Sequence, residues 1–282
     1  MKWQIPAKTF LVGEYIALNA QPAIILTTTP CFQLTLGPPT QQKIIHQDSP
    51  AGKFLNDHHI ADQVIWEDPY CGKGGMGASS AQFIGAYLAC CYINNRQFDL
   101  RSLQNEYYKY SWNNRGLKPS GYDVIAQSHS RCVYINQEAN IIRSYDWDFH
   151  DITFLLIHSG QKLATHEYLQ NTVLPPAINK LANIVAEAEQ AFIDNNSSQL
   201  VTAVNNYYYA LLNNNLVAEH TLKYIKQLQQ NQNILAAKGC GAMGADILMI
   251  IIEKKYLFIT SQNLTNLGWH ILASTQELFN DS

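Results

Sequence analysis

The chain has 282 residues, 47% hydrophobic and 15% charged, with a formal net charge of −3. That is enough apolar sequence for one large packed core or two of ordinary size. The acidic balance and the lack of a Lys/Arg run argue against nucleic acid as a partner; no apolar run reaches the ~18 residues a bilayer span needs. The first residues, MKWQIPAKTF, lack the apolar core and cleavage site of a signal peptide. KTFLVGEYIAL and PAIILTTT then read as β-rich runs joined by NAQ into a hairpin, with FQLTLG able to pair beside them. Residues 37–75 are rich in Pro, Gly, Asp, Gln and His, with one short strand expected at Val64–Trp66. Ser79–Tyr92 reads as a buried helix and Leu100–Trp112 as a second, tyrosine-rich one. The loop NNRGLKPSGYD leads into DVIAQ, and the strand-like runs RCVYIN and ITFLLIH follow. Apolar spacings of three and four make 175–231 helical. ILAAKGCGAMGADILMIIIE is a second glycine-rich loop before a β-branched strand, and YLFIT and WHILAS read as closing strand and helix elements. Strands first, then helices and further strands, indicate an α+β chain. Cys31, Cys71, Cys90, Cys91, Cys132 and Cys240 show no CxxC or metal-ligand spacing, which fits reduced thiols in a soluble cytoplasmic protein.

The stretch GKGGMGASSAQ, residues 72–82, holds four glycines and two serines directly before an apolar run. A GxxxxGK[ST] phosphate loop fails because Ala78 stands where the lysine belongs. A dinucleotide GxGxxG does match Gly72, Gly74 and Gly77, with Asp99 at a suitable distance, but WEDPYC and NNRQFD are not the strands that fingerprint requires. A plain flexible turn explains the glycines and nothing else. A glycine loop at a helix N-terminus explains more: backbone N–H groups close around phosphate oxygens, the helix end adds partial positive charge, Lys73 adds a full one, and a serine hydroxyl caps the helix or ligates Mg²⁺.

Gly75-Met76-Gly77-Ala78-Ser79-Ser80-Ala81 resembles the ATP loop of the GHMP kinases, P-x3-G-L-G-S-S-A. Three further stretches are similar to that family's motifs, in the family's order. Pro6-Ala7-Lys8-Thr9-Phe10-Leu11-Val12-Gly13-Glu14-Tyr15 resembles A-P-G-K-x-x-L-x-G-E-[HY], with Ala7 in place of glycine. Pro119-Ser120-Gly121-Tyr122-Asp123 resembles the P-S-G-x-D segment of the family's catalytic aspartate. Lys238-Gly239-Cys240-Gly241-Ala242-Met243-Gly244-Ala245-Asp246 resembles K-x-x-G-A-G-G-G-x, with Met243 in place of a glycine.

The resemblance implies a two-domain fold: a ribosomal-S5-domain-2-like N-terminal domain over 1–150 carrying the ATP loop, and a ferredoxin-like C-terminal domain over 151–282. It implies Asp123 and Lys8 as catalytic residues, with Asp123 receiving or orienting the acceptor's proton. Lys73, Gly74, Gly75, Met76, Gly77, Ala78, Ser79 and Ser80 would hold ATP, with Ser79 on Mg²⁺. Glu14, Tyr15, Ser120, Gly121, Gly241, Ala242 and Gly244 would meet the substrate. Lys73-x-Gly75-Met76-Gly77, Gly13-Glu14-Tyr15 and Ser120-Gly121-Tyr122-Asp123-Val124 are similar to phosphomevalonate kinases. Pro119 is closer to mevalonate kinases, whose His-Gly is Leu117-Lys118 here, and whose metal-binding glutamate, eleven residues before the aspartate, is Trp112. The expected function is an ATP- and Mg²⁺-dependent kinase acting on phosphomevalonate or mevalonate, as a monomer or homodimer without nucleic-acid or membrane partners. The alternatives are a diphosphomevalonate decarboxylase-like lyase and a catalytically silent binding protein of the same fold.

Overall fold

A computed structural model describes residues 1–38, 45–161, 178, 180–241, 243 and 246–281. The first sheet is built from β1 (Lys2–Val12), β2 (Ala23–Leu36), β3 (Val64–Glu67), β4 (Cys132–Asn136) and β5 (Ile141–Tyr145). Its order is β1-β2-β4-β5, with β3 paired to the far end of β2. All pairings are antiparallel. FQLTLG is not a separate strand: it continues β2 and pairs with Lys2–Ile5. The β1–β2 connection is longer than NAQ. Gly13 (φ 107°) and Tyr15 (φ 69°) turn the chain out of β1, and a 3₁₀ turn at Ile16–Asn19 follows. A Cβ on Gly13 would lie 2.3 Å from that of Ala23, so only glycine lets the two strands close here.

Among the described residues, helices α1 (Pro50–Asp57), α2 (Ala78–Ile93), α3 (Leu100–Ser111) and α4 (Tyr122–Ala126) accompany this sheet. α1 interrupts a stretch whose composition predicts only loop and one strand; Ser49 caps it by accepting from Gly52 N, and Pro50 starts it. α2 is buried around most of its circumference, from Ser80 to Cys91. Its Gly85 rides close on β2, where a Cβ would come within 2.9 Å of the Leu34 side chain. The acid of the rejected dinucleotide reading, Asp99, caps α3 by accepting from Ser102 N at 2.7 Å.

The second sheet comprises β6 (Ile152–His158), β7 (Ile234–Cys240), β8 (Ile247–Glu253) and β9 (His270–Ser274), in the order β7-β8-β6-β9, all antiparallel. Taken as first to fourth strands, that is the 2-3-1-4 order of a ferredoxin-like sheet. Between β6 and β7 lie α5 (Leu181–Ile193), α6 (Ser197–Asn213) and α7 (Glu219–Leu228); α8 (Leu257–Asn266) joins β8 to β9. β8 reads as an unbroken apolar run because it is covered on both faces: Ile247, Met249 and Ile251 join one cluster of buried side chains, and Leu248, Ile250 and Ile252 another.

The closing elements are exchanged relative to expectation. YLFIT opens helix α8 and HILAS is strand β9. Short apolar runs look alike in either state, and pairing with β6 decides which becomes the strand. ILAAKGC, expected as part of a glycine loop, is edge strand β7. The proposed boundary at residue 150 falls between β5 and β6. The largest cluster of buried side chains crosses it, joining Ile5, Leu26 and Leu34 to Phe154, Leu156 and Met249. Among the described residues no helix is long and apolar enough to cross a membrane.

Candidate active site

The glycine loop bridges both sheets. Asp68 folds its entry, accepting from Tyr70 N and Gly72 N at 2.8 Å each. Gly72, Gly75 and Gly77 have φ of 77°, 86° and 83°, a region costly for any residue with a Cβ. At two of them the surroundings demand glycine as well. A Cβ on Gly75 would lie 2.4 Å from Ile247 Cγ1 and 2.9 Å from Asp246 Cβ; one on Gly77 would lie 2.8 Å from Lys8 Cγ. These glycines therefore serve close packing against the protein, a reason the phosphate-wrap reading does not supply. Met76 is core: its side chain is buried, and its carbonyl accepts from Lys8 N at 3.0 Å.

Gly77 caps α2 without a side-chain hydrogen bond. The first N–H groups of α2 are therefore left for water or an anion. Ser79 is exposed in that first turn. Ser80, also expected on the nucleotide, is buried; its hydroxyl donates to Gln127 Oε1 at 2.5 Å. Gln127 Nε2 in turn donates to Pro6 O (2.7 Å) and Gly77 O (3.2 Å). This amide, which the sequence gives no reason to single out, locks β1, the loop and α4 together.

Lys8 and Asp123 meet through that lock. Lys8 Nζ lies 2.8 Å from Asp123 Oδ1, with the lysine side chain 10% exposed and the aspartate 33%. Phe10 lies below the ammonium at 5.1 Å. Asp123 sits in the first turn of α4, after Gly121 at φ 73°. A Cβ on Gly121 would lie 2.4 Å from the Tyr108 hydroxyl, which donates to Ser120 O at 2.8 Å. Tyr122 N donates to Ser120 Oγ, and Tyr122 OH donates to Gln21 O. The segment presenting Asp123 is thus held at several points while its carboxylate stays partly open. Tyr107, unforeseen from sequence, stands close by. Burial, with the negative charge of Asp123 adding to it, pushes its hydroxyl well above the usual range.

Glu14 and Tyr15 lie apart from this pair, under the second glycine loop. Glu14 is buried and forms an ion pair with fully buried Lys238. Burial pushes the Glu14 carboxyl up against the pull of Lys238. Lys238 Nζ also donates to Phe10 O at 3.5 Å, lies 3.7 Å from Cys240 Sγ, and stands 5.9 Å from the Tyr207 ring centroid. Tyr207 OH donates to Glu14 O at 2.6 Å. Tyr15 OH accepts from Met243 N at 2.7 Å and donates to Leu216 O. Met243, standing in place of a family glycine, has φ 55°. At Gly241 (φ 81°) no atom of the described residues lies within 4 Å of where a Cβ would be. Ala242 and Gly244 lie outside the described residues.

Lys73 reaches the second sheet, its Nζ 2.8 Å from His270 Nε2. Among the described residues no group of three or more His, Cys, Asp or Glu could hold a metal ion. Trp112, at the glutamate position, donates its indole N–H to Arg115 O. Beside the loop, among the described residues, Ser79 offers an exposed hydroxyl and Asp123 a partly open carboxylate. Such a set suits Mg²⁺ that arrives on a nucleotide's phosphates and keeps its waters.

No protein-family model matches the chain, and no curated protein matches its sequence. Solved structures do. The chain is similar to Methanococcus jannaschii mevalonate kinase at 14% identity and TM-score 0.74, covering 99% of this chain and 98% of that one. It is similar to Streptococcus pneumoniae phosphomevalonate kinase in complex with phosphomevalonate and AMPPNP at 14% identity and TM-score 0.75, covering 99% and 100%. It is also similar to mevalonate pyrophosphate decarboxylase from Streptococcus pyogenes at 10% identity and TM-score 0.65, covering 100% and 98%. These neighbours are proteins of the GHMP kinase superfamily.

Proposed function

We propose that this chain, which has the GHMP kinase fold from end to end, is an ATP-dependent kinase that transfers the γ-phosphoryl group to phosphomevalonate or mevalonate. The observation that carries the reading is the Lys8–Asp123 ion pair at 2.8 Å, with the lysine stem packed on the glycine that caps α2. Phosphoryl transfer asks a protein mainly for positioning and charge stabilisation. Lys73, Ser79 and the free N–H groups of the first α2 turn would receive the phosphates of Mg·ATP. Asp123 would receive or orient the proton of the acceptor. Lys8 would hold that carboxylate in place and stabilise the charge that develops during transfer. Ser120 and Gly121 would shape the acceptor side, with Gly241 closing from the second sheet. Glu14 and Tyr15 would support the substrate side by holding the second glycine loop.

The test is a coupled ADP-release assay with Mg·ATP against mevalonate, phosphomevalonate, diphosphomevalonate, homoserine and sugars. Turnover with one of the first two supports the proposal. Release of CO₂ and phosphate from diphosphomevalonate would replace it with the decarboxylase reading. Nucleotide binding without turnover on any acceptor would replace it with a binding role.

A further inference from the structure

The end of the second sheet that meets the glycine loop carries one cross-strand row. Cys240 on β7 faces Ile247 on β8, Ile247 faces His158 on β6, and His158 faces His270 on β9. Gly75 packs on Ile247 in that row, and two residues earlier Lys73 Nζ lies 2.8 Å from His270 Nε2. An ammonium has only protons to give, so the contact requires His270 as a neutral imidazole with Nε2 accepting. Protonation of His270 removes that acceptor and sets a second positive charge against Lys73.

Among the described residues, His158 from β6 and Asp246 at the start of β8 also act at this corner. Burial pushes the His158 imidazole below its ordinary value, with the charges of Lys73 and His270 acting in the same direction and Asp246 opposing. Its Nδ1 accepts from Gly160 N at 3.1 Å, so its proton sits on Nε2, a buried atom with no hydrogen-bond partner among the described residues. Asp246 is buried, and its carbonyl accepts from Ser159 N. At this corner His270 is thus the exposed imidazole in direct contact with the loop lysine.

We infer that His270 is a positioning residue for Lys73, and that binding of a nucleotide polyphosphate at this corner is coupled to uptake of one proton by His270. This rests on the nucleotide reading of the glycine loop. Without an anion, neutral His270 holds the lysine against the sheet. When phosphate oxygens draw Lys73 away, His270 loses its donor and stands beside negative charge, which favours the imidazolium. Proton and polyphosphate therefore favour one another, and by linkage the affinity rises as pH falls.

The test is calorimetric titration of the full chain with Mg·AMPPNP between pH 6 and 8.5, for wild type, His270→Gln and His158→Gln. Glutamine at 270 keeps an acceptor for Lys73 but cannot take a proton. The AMPPNP phosphates titrate equally in every variant, so the ratio of wild-type to variant affinity isolates the protein's share. Wild type should tighten about 3- to 10-fold more than His270→Gln from pH 8 to pH 6, within the tenfold per pH unit that one proton allows. The two should agree within about twofold at pH 8.5, and His158→Gln should follow wild type. In parallel, NMR titration of His270 in the wild-type chain should show its pKa rising when Mg·AMPPNP is added, a readout that needs no variant. Parallel pH profiles for wild type and His270→Gln, or an unmoved His270 titration, overturn this inference alone. No binding of Mg·AMPPNP by wild type at any pH overturns it together with the kinase reading.

Discussion

Replacing Lys238 by methionine tests the buried pair beneath the second glycine loop. The side chain is 0% exposed and its partner Glu14 4% exposed. Methionine keeps roughly the length and apolar bulk but leaves the Glu14 carboxyl buried without its counter-charge. Breaking a buried pair from one side costs about 3–5 kcal/mol; at about 2–4 °C per kcal/mol for a large domain, the melting temperature should fall by about 10 °C. The pH dependence has a definite sign. Burial already holds the Glu14 pKa above its ordinary value against the pull of Lys238, and removing Lys238 raises it further. A carboxyl whose folded pKa is raised contributes stability below its unfolded pKa, and that contribution is lost as pH rises through the folded value. The deficit of Lys238→Met should therefore be small near pH 4.5 and full at pH 8. Thermal melts followed by circular dichroism at both pH values measure it, alongside the double variant Glu14→Gln/Lys238→Met. The double variant should regain most of the loss at pH 8, because no buried charge remains. A single variant that melts within about 3 °C of wild type at pH 8, or one whose deficit is equal at both pH values, would refute the reasoning.

Asp123→Asn should cut the turnover number by about 10²- to 10⁴-fold, the range of general acid–base catalysis, and leave Mg·AMPPNP affinity within about twofold by calorimetry; near-normal turnover would reject the role of Asp123. Ser79→Ala should raise the Mg²⁺ concentration needed for half-maximal ADP release by up to about tenfold, a loss of roughly 1.4 kcal/mol, and an unchanged Mg²⁺ curve would remove the hydroxyl from the metal. Gly77→Ala adds about 1–2 kcal/mol of left-handed strain and a contact 2.8 Å from Lys8 Cγ; ADP release should fall by far more than the melting temperature does, because the displaced group is Lys8, and full activity would separate the loop from the ion pair.

The parts legible in the sequence were those with local signatures. Alternating and β-branched runs marked β1, β4, β6 and β8, and the apolar run after the glycine loop marked α2. What escaped depends on contacts between distant residues. The row Cys240, Ile247, His158 and His270 exists only through register, and nothing near His158 or His270 in the chain distinguishes either from an ordinary strand histidine. Gln127 reads as the end of an apolar turn, yet its amide serves three segments. Lys238 was visible within a glycine motif, but its burial follows from β7 pairing with β8 and from α6 delivering Tyr207. The exchange of strand and helix at the C-terminal end has the same origin: β6 offers an edge, and the run that reaches it becomes β9.

The glycines show how a motif can carry an incomplete reason. Four glycines before a helix suggest a backbone bared for a ligand, and Gly72 fits, since nothing lies within 4 Å of the place its Cβ would take. Gly75 and Gly77 do not fit that reason. They are the points where the loop touches the second sheet at Ile247 and the first at Lys8. A loop seated on both sheets through two side-chain-free residues cannot shift on one without disturbing the other. Its Lys73 end reports on His270 in the second sheet, and its Gly77 end sets the stem of Lys8, which pairs with Asp123. On the kinase reading, phosphate recognition and the transfer step would share one piece of backbone, so substitutions at Gly75 and Gly77 should impair both together, whereas those at His270 and Asp123 should impair them separately.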